Sequence, residues 1–117
     1  MSARYDSRIM SRDGWTRLLP VSDLPVGRAR FVASGDHELA VFHLSDPDRF
    51  IVTQNSCPHA GGNLAAGEMN GACVTCPWHQ WEFNLDTGRC TLSESVTLVR
   101  YECRIESGDL YVRLPSG

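Results

Sequence analysis

From residue 14 onward the apolar and polar positions fall into short runs broken by turn-forming residues, a pattern that predicts strands and few helices. The first four runs lie at 15–19, 27–33, 38–44 and 50–54. Between them, Ala33-Ser34-Gly35-Asp36-His37 has hairpin chemistry, and Ser45-Asp46-Pro47-Asp48 joins a proline-fixed turn to side chains that favour turns. These segments predict an antiparallel meander. Further on, 81–85 reads as a strand and Asp86-Thr87-Gly88 as its turn. Val99, Tyr101, Cys103 and Ile105 then alternate with Arg100, Glu102 and Arg104, the period of a strand with one apolar face. Ser107-Gly108-Asp109 turns the chain into a last run at 110–114. The expected fold is all-β, a small antiparallel β-sandwich or barrel with ligand-bearing loops at one end. No repeat or linker divides the chain, so residues 14–117 are expected to form one domain after a polar segment at 1–13.

Residues 55–80 break the pattern. They carry Pro58, Gly61, Gly62, Gly67, Gly71 and Pro77 amid three of the five cysteines and two of the four histidines. This is loop composition with a surplus of metal ligands. The rest of the composition narrows the chemistry. At 117 residues, 42% hydrophobic and 21% charged, the chain is sized for one buried core. Its net charge is −3, and all 11 basic residues are arginines. Without lysine there is no Walker-type phosphate loop, Schiff-base chemistry or Ser-x-x-Lys acylase. An acidic chain without a basic stripe argues against nucleic acid as a partner. No apolar stretch approaches the ~20 residues that span a bilayer, and residues 1–13 lack the apolar core of a secretory signal. A cytoplasmic protein without a membrane partner is expected. An odd number of cysteines then argues against a disulfide framework and for metal binding.

Cys57-Pro58-His59 is followed, after sixteen intervening residues, by Cys76-Pro77-Trp78-His79. Two thiolates and two imidazoles could hold a structural zinc ion tetrahedrally. Zinc fingers, however, usually pair like ligands within a loop, whereas each loop here brings one cysteine and one histidine. A cluster of two irons, one ligated by sulfur and one by nitrogen, asks each loop for one ligand to each iron.

These residues resemble the Rieske [2Fe–2S] domains. The resemblance is carried by Cys57-Pro58-His59-Ala60-Gly61-Gly62, by Cys76-Pro77-Trp78-His79 and by the trailing Trp81-Glu82-Phe83-Asn84-Leu85-Asp86-Thr87-Gly88, within a cluster-binding region of about 55–90. It implies that Cys57 and Cys76 hold the inner iron and that His59 and His79 hold the outer one. Two ferric ions, two sulfides and two thiolates sum to zero charge, so one-electron reduction leaves a single negative charge. Relatives of high potential carry a disulfide between the loops and Ser and Tyr hydroxyls near the sulfurs. Here Gly62 and Trp78 stand at the disulfide positions, Trp81 at the serine and Phe83 at the tyrosine. A potential towards the low end of the Rieske range, about −150 mV, is expected.

The resemblance thus implies a soluble Rieske-type ferredoxin, an electron-transfer component and not itself an enzyme, with a flavin-dependent NAD(P)H reductase as donor and a terminal oxygenase as acceptor. The alternatives are a small subunit of a nitrite reductase-like complex and a metal-stapled docking or regulatory subunit. Two departures stand out. Gln80 replaces a common glycine, and 91–97 lacks a Gly-Pro-rich third loop. Trp78 suits either cluster shielding or partner docking. Cys73, in Ala72-Cys73-Val74-Thr75, Cys90 and Cys103 read as apolar strand residues. His37 and His43 share a strand phase with Leu39 and Val41 and read as packed or hydrogen-bonded. Trp15 reads as core, and Glu68, Glu82 and Asp86 as solvated charges.

Overall fold

The computed structural model describes residues 14–45, 47–56, 62–77, 80–93 and 95–114. Among these residues ten strands occur in this order: β1 (Trp15–Pro20), β2 (Ala29–Ser34), β3 (His37–Leu44), β4 (Arg49–Gln54), β5 (Glu68–Asn70), β6 (Cys73–Thr75), β7 (Glu82–Asn84), β8 (Arg100–Tyr101), β9 (Cys103–Glu106) and β10 (Asp109–Arg113). They form three antiparallel sheets, ordered β1-β10-β9, β2-β3-β4-β8 and β5-β6-β7. The only helical elements among the described residues are single 3-10 turns at Val21–Asp23 and Leu64–Ala66.

The all-β expectation agrees with this architecture. The predicted meander does so in part: β2, β3 and β4 are successive antiparallel neighbours, but β1 leaves them and pairs with β10 at the far end of the chain. Local turn chemistry cannot signal such a partner. The alternating run at 99–105 also divides. β8 closes the central sheet against β4, whereas β9 joins β10 in the first sheet. Turning from one sheet to the other at Glu102 makes a corner of the sandwich, and the ends of the run, Val99 and Ile105, are 51% and 52% exposed. Within 55–80, the strand read around Cys73 is β6, but the loop composition conceals β5, which forms a hairpin with it.

β3 explains how the sandwich holds together. Leu39, Ala40, Val41 and Phe42 are all fully buried, because both faces of the central sheet are covered. Leu39 and Val41 pack with Val52, Leu19, Leu24, Leu110 and Val112 against the first sheet. Ala40, Phe42 and Leu44 pack with Ile51, Leu64, Val74, Cys76, Phe83, Leu85 and Leu98 against the third. Trp15 is buried, as expected, with the Arg104 guanidinium 4.3 Å above its ring.

Candidate metal centre

Two short segments carry the candidate ligands, and each is closed at its stem by backbone hydrogen bonds. The first begins where β4 ends. The Leu64 N–H donates to the Asn55 carbonyl at 2.9 Å, and Ser56 bridges Asn63. The Asn55 side chain adds a second clasp, its Oδ1 accepting the Ala65 N–H at 2.9 Å. The second loop joins β6 to β7. Thr75 pairs with Glu82, and the Cys76 N–H donates to the Trp81 carbonyl at 2.7 Å. Cys76 is fully buried in the core beside the third sheet, while Pro77 and Gln80 are exposed. Gln80 has φ +62°, a left-handed conformation that lets the chain reverse within this loop. Of the candidate ligands the structure therefore places Cys76; Cys57, His59 and His79, with Trp78, lie outside the described residues.

The surroundings are apolar beneath and acidic outside. Phe83 is fully buried and Trp81 half-buried against the same core, and neither side chain carries a hydroxyl. Glu82 is half-buried rather than simply solvated: the Thr91 N–H donates to its carbonyl at 2.9 Å and the Thr91 hydroxyl to its Oε1 at 3.2 Å. These bonds tie the segment after Cys90 to β7. Asp86 is likewise engaged, because Arg49 donates to both its carboxylate oxygens at 2.9 and 2.7 Å. The arginine holds the Asp86 carboxyl below its ordinary range. Glu68 is exposed, as expected. Between Arg49 and Arg89 the sequence holds these three acids and no base, leaving eleven acidic residues against eleven arginines elsewhere.

The remaining cysteines and histidines have other places. Cys73 lies half-buried on β6, with its thiol pushed up by burial and then by Glu82 and Asp86. Cys90 is buried and accepts the Leu92 N–H at its sulfur. Cys103 donates to the Phe50 carbonyl, and burial again raises its thiol. His43 stacks on Phe50 with ring centroids 4.0 Å apart, and its Nδ1 donates to the Leu24 carbonyl at 2.7 Å. The Asp48 carboxylate lies against its Nε2. His37 meets the edge of Tyr101. These contacts agree with packed or hydrogen-bonded histidines.

Residues 14–102 match the Rieske [2Fe-2S] domain. The chain belongs to the Rieske [2Fe–2S] domain family. Among characterised members, it is 32% identical to the ferredoxin CarAc of Metapseudomonas resinovorans, over 84% of this chain and 92% of that one. It is also 37% identical over 79 residues to the cholesterol 7-desaturase nvd of Hemicentrotus pulcherrimus, but spans only 17% of that protein's length. Among solved structures, a complex of reduced oxygenase and oxidised ferredoxin in carbazole 1,9a-dioxygenase superposes with a TM-score of 0.78 at 30% identity, covering 86% of this chain and 94% of that one. A nitrite reductase small subunit of Mycobacterium tuberculosis superposes equally well, with a TM-score of 0.79 over 88% of this chain and 96% of that one, but at 24% identity this likeness concerns the fold.

The cofactor of this Rieske domain is a Rieske-type [2Fe–2S] cluster. The donors present suit it. A buried thiol at the stem of the second loop fits a sulfur-ligated iron, and the Cys-x-His and Cys-x-x-His pairs of the sequence have the residue types that such a mixed ligand set needs. Among the described residues no helix is long and apolar enough to cross a membrane.

Proposed function

We propose that the protein is a low-potential one-electron carrier that accepts an electron from a flavin-dependent NAD(P)H reductase and delivers it to a terminal oxygenase. The observation that carries this reading is mutual coverage: the chain and the ferredoxin CarAc match over nearly the whole of both, whereas the desaturase match is confined to one part of a much longer chain. Cys57 and Cys76 would hold the inner iron and His59 and His79 the outer one. When bound, the cluster stores and releases one electron. The chain's own contribution is to close both loops at their stems, to keep Cys76 away from water, and to set the charge around the site.

That charge favours a low potential. Neutral imidazoles make the electron easier to add than four thiolates would, but Gly62, Trp78, Trp81 and Phe83 provide neither the interloop disulfide nor the hydroxyls of high-potential relatives. Glu68 and Glu82 add negative charge that opposes reduction. A nitrite reductase-like small subunit is the second reading, supported by the fold likeness alone.

An anaerobic redox titration of freshly purified protein, followed by low-temperature EPR, tests the proposal. A rhombic [2Fe–2S] signal that appears only at low potential is the expected result. A potential well above zero would contradict the low-potential argument, and a silent, zinc-containing sample would overturn the carrier reading.

A further inference from the structure

Asn55 is one of two buried polar residues among those described, only 6% exposed. Three of its groups are accounted for. Its N–H donates to the Glu38 carbonyl, its carbonyl accepts from Leu64, and its Oδ1 accepts from Ala65, each at 2.9 Å. The bond to Ala65 also settles the orientation of the amide, since only an oxygen can accept there. The Nδ2 amino group, with two hydrogens to donate, has no partner among the described residues. Proteins rarely bury a donor without an acceptor, and a buried orphan calls for one.

We propose that Asn55 is a positioning residue for the cluster, with Oδ1 clasping the stem of the first loop and Nδ2 donating to a sulfur of the bound group. The inference rests on the Rieske-cluster reading above. Asn55 stands two residues before Cys57 in the sequence, at the stem of the segment that carries the Cys57 and His59 candidates. Thiolate and sulfide are acceptors that the cluster brings, and reduction places additional negative charge on them. A donor aimed at that sulfur holds the reduced form more tightly than the oxidised one and raises the potential without adding a charge of its own. In a site lacking the hydroxyls of high-potential relatives, Asn55 is then the side chain that keeps the potential from falling further.

The test compares the cluster-loaded protein with Asn55→Ala and Asn55→Asp by potentiometric titration and by resonance Raman spectroscopy of the Fe–S stretches in H₂O and D₂O. Asn55→Ala is expected to make reduction about tenfold less favourable, a potential lower by about 59 mV. Asn55→Asp keeps an acceptor for the Ala65 N–H but has lost the amide donor. It is expected to melt above Asn55→Ala and to have a potential at least as low. The D₂O-induced shift of the Fe–S bands should be smaller in both variants than in the parent protein. An unchanged potential with an unchanged D₂O shift in Asn55→Ala overturns the inference and leaves a loop clasp alone, even if that variant melts lower. Should Asn55→Ala fail to hold a cluster, the D₂O shift of Asn55→Asp decides: a value equal to the parent's overturns it. Absence of any [2Fe–2S] signal from the parent protein itself would instead overturn the carrier reading.

Discussion

Gln80 shows how a single residue can be visible in a sequence while its reason is not. As a departure from the usual glycine it stands out on inspection; that it adopts φ +62° in the ligand-bearing loop emerges only from the fold. A side chain with a β-carbon gives up about 1–2 kcal/mol in this region, whereas glycine would add about 0.4–1 kcal/mol of unfolded-state entropy. The first effect is the larger. Gln80→Gly is therefore expected to stabilise the protein by about 0.5–1 kcal/mol, measured by denaturant unfolding. A loss of stability would mean that the exposed Gln80 amide holds something in place. The candidate ligands were visible in the sequence for a related reason, since Cys57, His59, Cys76 and His79 stand out by type and spacing. Asn55 was not, because a clasp between residues ten apart leaves no period and no motif. Nor did sequence reveal the pairing of Asp86 with Arg49, separated by 37 residues.

At the scale of elements, strands with strong local signals were read closely and those defined by distant partners were not. β3 and β4 lie within one residue of the predicted 38–44 and 50–54, because long apolar runs and clear turns mark them. β8 and β9 were read as one run, since alternation does not record the change of sheet at Glu102. β5 was concealed by glycine-rich composition, and one of those glycines explains why the hairpin can form there. A β-carbon on Gly67 would lie 2.3 Å from the Thr75 carbonyl oxygen, 3.0 Å from Val74 Cγ2 and 3.1 Å from the Leu64 carbonyl oxygen. Two of the three are backbone atoms that cannot swing aside, and both flank the stems of the ligand loops. Gly67→Ala is expected to cost about 1–3 kcal/mol, the usual range for overpacking. The check is the shift in denaturation midpoint at unchanged slope. A neutral result would contradict the close approach of the 3-10 turn to β6.

Across the whole molecule, β3 separates two cores, one shared with the first sheet and one with the loop-bearing third sheet. Their relative placement depends on apolar packing, but one polar link spans the second boundary. Arg49, at the start of β4, donates to the Ser45 and Pro47 carbonyls at 3.1 and 2.7 Å and grips Asp86 in the turn after β7. The link ties the 45–48 turn and the central sheet to the loop-bearing unit. Because Arg49 depresses the folded-state pKa of Asp86, the pair stabilises the fold above the ordinary carboxylate range, where Asp86 is ionised in both states. That contribution is lost as pH falls below about 4 and through the depressed value. Asp86 is 43% exposed at its side chain, so the effect should lie within the range of surface pairs, about 0.2–1 kcal/mol, and shrink with added salt. Asp86→Asn should therefore unfold more easily than the parent protein at about pH 6, and the gap should close as the pH is lowered towards about 3. The two proteins are compared at matched cluster content, so that the difference between their stabilities isolates the pair. A gap that stays constant across this range would show that the Arg49–Asp86 link does not contribute to holding the two halves together.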